Sequence, residues 1–154
     1  MTEAVVVGAI AVAALNAATC LAGGWLWYRG EMRERPVRAF WLLLRVGQGS
    51  ALAFALLVGA LALAGHYSSD RLFYLYALLP LAVAFVGEQL RVAAAATVLS
   101  QRGLSGAAAV GRLPEEEQRR IVVEIVRREI GVMALSAVVV VFLALRAAGT
   151  AHGF

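Results

Sequence analysis

Four polar residues interrupt two long apolar stretches of the chain: Arg45, Gln48, Glu88 and Arg91. Charges inside a membrane-spanning segment are energetically costly, so they are functional candidates by default. Arginine binds phosphate and carboxylate groups through charge-assisted hydrogen bonds, and a buried glutamate can exchange a proton. These residue types indicate either a binding site for a polar or anionic group or a proton-exchanging carboxylate.

The positions of Arg45 and Glu88 along their segments place both residues at the same depth. Arg45 lies seven residues past Arg38, about 10 Å from the cytoplasmic side. Glu88 lies sixteen residues past Leu72, about 24 Å from the outer side of a hydrocarbon core of roughly 30 Å. We therefore expect an Arg45–Glu88 ion pair at the centre of one cluster that is open to the cytoplasm. The cluster consists of Arg45, Gln48, Glu88 and Arg91, with Gln89, Glu124 and Glu129 nearby as supporting residues.

Two interpretations of this cluster stay open at the level of sequence. In the structural one, the ion pair sets the register of two helices, and Arg91 extends to phospholipid headgroups. In the functional one, two arginines against one buried carboxylate leave a positive excess that suits a phosphate or carboxylate. A further functional possibility is that Glu88 exchanges a proton.

The composition predicts the elements that must position these residues. Of 154 residues, 62% are hydrophobic and 16% are charged, and the mean hydropathy is +0.79. Soluble domains average roughly 45–50% apolar and about 25% charged residues, so we predict an all-α integral membrane protein. The 14 basic residues are all arginine and the net charge is +4. We assign most of these arginines to the inner membrane face, and we expect membrane lipids rather than nucleic acid as partners.

Four stretches are long enough to cross a membrane: 4–28, 39–65, 72–100 and 130–148. They predict a single domain, a four-helix transmembrane bundle. Four arginines lie in the linker 29–38 and six lie in 101–129, whereas the opposite side carries only Arg71 and Arg146. The positive-inside rule then places both basic segments in the cytoplasm and both termini outside the plasma (inner) membrane.

The segment 114–129 predicts an amphipathic cytoplasmic helix that continues into the fourth span. Pro114 followed by three glutamates is typical of a helix start. Apolar residues then recur at helical spacing, and no proline or glycine interrupts them before Gly131. We expect one helix over 114–148. Its charged part is either a docking surface or a solvated extension that packs on its neighbours.

The remaining candidate ligands are few. Cys20 is the single cysteine, which excludes a disulfide within the chain, and the two histidines, His66 and His152, both fall on the outer side. The sequence contains no catalytic triad, phosphate-binding glycine loop or metal-ligand spacing. We predict no metal and no cofactor.

Three functions fit these observations. The first is an oligomeric transporter or channel for a small polar or anionic solute, which uses the cluster as part of its pathway and requires several copies. The second is a non-catalytic accessory or scaffold subunit of a membrane complex, which predicts a closed bundle with a satisfied Arg–Glu pair. The third is a membrane enzyme that acts on a lipid headgroup, with Glu88 as base.

Overall fold

A computed structural model describes residues 2–30 and 32–152, and the secondary structure in these ranges is entirely helical. Four of the helices are long and apolar enough to cross a membrane, and α4 is a single turn. The helices are α1 (Thr2–Arg29), α2 (Glu34–Leu63), α3 (Arg71–Gln101), α4 (Ala107–Val110) and α5 (Glu115–Thr150).

Two helix starts show how local chemistry sets the boundaries. Helix α2 begins at Glu34, five residues before the predicted apolar stretch, because the acidic residue suits the first turn and Pro36 needs no hydrogen-bond acceptor there. Pro114 precedes α5 with an extended ψ of 146°, and three glutamates occupy the first turn. The segment predicted as one long helix is α5, which continues without a break from Glu115 to Thr150.

The bundle has two distinct ends. We call the end that contains residues 29–38 and 101–129 the basic end, and the opposite end, near Thr2 and His152, the terminal end. At the terminal end the α2–α3 loop is tied to the end of α5. The amide of Ser69 donates to the carbonyl of His152 at 2.9 Å, and the Ser68 hydroxyl donates to the same carbonyl at 3.1 Å.

The four long helices form a ring in the order α1, α2, α3, α5. Helix α5 packs extensively against both α1 and α3, whereas α2 and α3 make the least extensive contact of the four neighbouring pairs. Small residues allow the close packing around α5. A Cβ added at Gly23 of α1 would lie 2.6 Å from the Phe40 ring and 2.8 Å from the Cβ of Ala134. Only glycine fits at this crossing of three helices.

The interior contains two apolar clusters. The one toward the terminal end is rich in alanine and valine and includes Phe54 and Phe73. The one toward the basic end joins Phe40, Leu44 and Met133 with neighbouring side chains. Together they leave room for few polar groups between the helices, so the polar residues of the long helices are mostly at their surfaces.

The outside of the bundle is strongly apolar. Leu63, Leu21, Leu42 and Leu135 expose 93%, 74%, 68% and 67% of their surface, and many other large apolar side chains are exposed along the long helices. A water-soluble protein rarely carries so continuous an apolar surface. The fold therefore defines an all-helical bundle of the kind found in multi-pass membrane proteins.

Candidate functional site

Glu88 lies at the centre of a hydrogen-bonded group that bridges α2 and α3. Its Oε1 accepts from Arg45 Nη1 at 2.8 Å and from Gln48 Nε2 at 3.3 Å. Its Oε2 accepts from Arg91 Nε at 2.9 Å. Arg45 Nη1 also donates to Gln48 Oε1 at 2.8 Å. Both carboxylate oxygens of Glu88 thus accept hydrogen bonds. The Arg45–Glu88 contact is the predicted ion pair, since counting residues along the two helices places these side chains at the same depth.

Arg91 connects this group to α5 and to an aromatic ring. Its Nη1 lies 3.7 Å from Glu129 Oε2, and its Cζ lies 5.3 Å from the centre of the Trp41 ring. The ring face attracts the guanidinium group and shields one side of it from solvent. We call Arg45, Gln48, Glu88, Arg91 and Glu129 the polar cluster.

The polar cluster is electrically balanced. Arg45 and Arg91 carry two positive charges, and Glu88 and Glu129 carry two negative charges. Against Glu88 alone, the two arginines would leave a positive excess, and Glu129 is one of the supporting residues that the sequence places nearby. Glu129 removes that excess because α5 brings its carboxylate toward Arg91. The cluster therefore offers no net charge to attract an anion.

The polar cluster lies on the side of the bundle. The Arg45 side chain is 55% exposed, compared with 25% for Glu88 and 17% for Glu129. Two residues on the same face of α2 as Arg45 are apolar and exposed: Leu42, one turn before it, at 68%, and Leu52, about two turns after it, at 49%. A charged group held in the middle of an apolar lateral surface is the least expected feature of this fold.

Two predicted supporting residues are elsewhere. Gln89 is exposed on α3 and has no hydrogen bond within the described ranges, because one residue along a helix turns the side chain by about 100° away from Glu88. Glu124 belongs to a separate group that fastens the end of α3 to α5. It pairs with Arg102 at 2.7 Å and with Arg128 at 3.4 Å. We call Gln101, Arg102, Glu124 and Arg128 the α3–α5 clamp.

Asn16 is a buried polar residue that lies outside the set of candidate residues predicted from the sequence. It is 3% exposed in α1, and its Nδ2 donates to the carbonyl of Val12 at 2.9 Å and toward that of Gly47 at 3.5 Å. Gly47 permits this approach, since an added Cβ would lie 3.2 Å from Asn16 Oδ1. The available signal was that the only asparagine of the chain falls inside an apolar span.

Among the described residues, no group of three or more His, Cys, Asp or Glu side chains could hold a metal ion. His66 and His152 both lie at the terminal end, and Cys20 is half-buried in α1. Comparisons with family models, curated proteins and solved structures gave no match.

Proposed function

We propose that this chain is a non-catalytic accessory or scaffold subunit of a membrane protein complex. In this proposal the four long helices cross the plasma membrane, the basic end faces the cytoplasm and both termini lie outside. The exposed face of α2 and α3 packs against another subunit through the polar cluster. The observation that carries the proposal is Arg45, a charge that its own chain leaves 55% exposed between apolar neighbours.

The cost of that exposure supports a covering partner. Arg45 would lie about 10 Å below the cytoplasmic surface, by the rise of α2 from Arg38. An arginine at the centre of a spanning helix costs about 2.5–3.5 kcal/mol in insertion measurements, and the cost is smaller but still unfavourable at the depth of Arg45. The guanidinium of Arg45 is bonded to Gln48 and Glu88. A partner subunit that accepts hydrogen bonds from Arg45 would relieve the unfavourable exposure to lipid.

The neutrality of the polar cluster supports an interface role over capture of an anion. Glu88 already accepts three hydrogen bonds, and the two arginines face two carboxylates. A balanced, partly exposed polar group gives specificity to helix association within a membrane, where apolar surfaces cannot distinguish a partner from lipid. The same arrangement lacks the excess charge and the unpaired base that catalysis on a headgroup would require.

The proposal is tested by native mass spectrometry of the chain extracted from its own membranes in lipid nanodiscs. We expect the 16.3 kDa chain to be retained with a different protein at fixed stoichiometry. The matched variant R45L/E88L removes one charge of each sign, so its net charge is unchanged. We expect this variant to be released alone. Recovery of the unmodified chain as a monomer with phospholipid only would contradict the proposal.

A second candidate is an oligomeric transporter for a small polar solute. It is favoured by the continuity of the hydrogen-bonded groups, which run from Arg45 through Glu88 to Arg91 and Glu129 along a surface that remains partly exposed. Several copies that face each other through these groups would enclose a polar pathway. A complex made only of copies of this chain would favour this function, and anion flux into liposomes should then fall in R45Q, which leaves the cluster with a negative excess.

A further inference from the structure

A continuous cleft separates α5 from the segment that joins α1 to α2 at the basic end. One opening of about 410 Å³ is lined by Gly30, Arg119, Val123 and Arg127, together with neighbouring residues. A second opening of about 560 Å³ shares Gly30, Arg119 and Val123 with the first. We call this pair of openings the basic cleft. It is separate from the polar cluster, none of whose residues line it.

The acidic residues that the structure describes in the basic cleft are already paired. Glu34 is paired with Arg38, Glu116 is contacted by Arg120 at 3.8 Å, and Glu124 is held by the arginines of the α3–α5 clamp. Arg119 and Arg127 have no carboxylate partner within the described ranges, although they lie on one face of α5, two turns apart. Among the residues in ranges 2–30 and 32–152, the cleft thus presents two guanidinium groups that no carboxylate contacts.

Arg127 is held in place for binding. Its Nε donates to the carbonyl of Trp27 at 3.2 Å, and its Cζ lies 5.3 Å from the centre of the Trp27 ring. These contacts occupy Nε and one face of the guanidinium group, and they leave the terminal nitrogens for an anion. A positioned guanidinium group loses less conformational freedom when it binds phosphate, which strengthens the contact.

The cleft continues into an apolar groove of about 410 Å³ toward the body of the bundle. This groove shares Val123 with both openings and is otherwise lined largely by Val37, Trp41, Val122 and Val126. The cleft is charged at Arg119 and Arg127 and apolar in the groove, as a site for an amphiphile with a charged headgroup and an apolar chain would be. A small inorganic anion would need only the charged part. The Trp27 and Trp41 rings are of the type that lies at the level of lipid headgroups.

We propose that the basic cleft binds the phosphate-bearing headgroup of an anionic phospholipid. Arg119 and Arg127 contact the headgroup, and the groove beside Trp41 takes the start of an acyl chain. The inference uses the membrane placement given under the proposed function. It does not depend on a partner at the polar cluster, so either can fail while the other stands.

The test compares lipids on the purified full-length chain in detergent by native mass spectrometry. Phosphatidylglycerol and phosphatidylcholine with identical acyl chains are titrated separately, and we expect tighter binding of phosphatidylglycerol. In R119Q/R127Q the preference should fall about tenfold, since two charge-assisted contacts are lost. The matched control R35Q/R112Q removes the same charge from exposed arginines outside the cleft and should keep the preference within about twofold.

Three results would overturn the assignment. Equal binding of the two lipids by the unmodified chain would show no headgroup recognition. An equal loss in R35Q/R112Q would show attraction by the overall charge of the basic end. Displacement of phosphatidylglycerol by glycerol 1-phosphate would show that the cleft recognises a soluble phosphate ester rather than a lipid. Circular dichroism of all variants distinguishes loss of binding from loss of folding. The single variants R119Q and R127Q are measured in the same way.

Discussion

The α1–α5 and α2–α3 contacts hold the bundle by different means. Around α5 the helices approach closely because Gly23 leaves no side chain between Phe40 and Ala134. Between α2 and α3 the contact is the least extensive of the ring and is bridged by Arg45, Gln48 and Glu88. Close packing of small residues thus stabilises the fold where α1 meets α5. Polar side chains bridge the helix pair with the least extensive contact, and under the proposed function their exposed part also faces a second subunit.

The largest expected effect on stability comes from filling the α1–α5 crossing. G23A places a methyl group within 2.8 Å of a neighbouring helix, and overpacking of this kind costs about 1–3 kcal/mol. The measurement is thermal unfolding in detergent followed by circular dichroism. G24A is the matched control, because no atom lies within 4 Å of a Cβ added there. We expect G24A to melt at or above the temperature of the unmodified chain. Equal melting of G23A and G24A would contradict close packing at this crossing.

The polar cluster should matter less to folding than to assembly. R45L/E88L removes both members of the ion pair and leaves Arg91 with Glu129, so we expect a loss of about 1 kcal/mol or less in the free energy of unfolding. E88L alone leaves two arginines facing one carboxylate, and it should cost more, about 1–2 kcal/mol in this partly exposed position. The measurement is unfolding in detergent. A double variant less stable than E88L would assign the cluster to the fold itself.

The smallest effect is expected at the α3–α5 clamp. R102Q removes a contact of 2.7 Å between side chains that are 39% and 33% exposed, and Glu124 keeps Arg128. Exposed pairs of this kind contribute about 0.2–1 kcal/mol, and salt screens them. The difference in melting temperature between R102Q and the unmodified chain should vanish in about 1 M NaCl. A difference that persists there would indicate a packing role for Arg102.

Helix geometry explains which parts of the site were accessible from sequence. Counting residues along two antiparallel apolar segments places Arg45 and Glu88 at one height, and the two side chains do meet at 2.8 Å. The rotation of each helix about its axis is set by packing, which the count does not include. For this reason the count places Gln89 and Glu124 near the cluster, whereas in the structure both lie elsewhere. The Gln89 side chain is exposed and makes no bond to the cluster, and Glu124 belongs to the α3–α5 clamp.

Other features depend on contacts between segments that are distant in sequence. The balance of the polar cluster depends on Glu129 of α5 reaching Arg91 of α3. The approach of Asn16 to the Gly47 carbonyl depends on how α1 crosses α2. By contrast, the four long apolar helices follow directly from composition and segment length, because a long apolar segment satisfies its backbone hydrogen bonds within one helix.

The central claim is that another protein covers the polar cluster, and site-specific photocrosslinking in the native membranes tests it most directly. A benzoylphenylalanine replaces Leu42, which lies one turn before Arg45 on the same face of α2, or Trp25 of α1 as a control. Both residues are exposed, and each lies four residues from an arginine at the basic end, Arg38 or Arg29. We predict a protein adduct of defined mass from position 42, absent from position 25 and lost when R45L/E88L is added. Adducts to lipid alone at position 42, or equal protein adducts at both positions, would contradict the account.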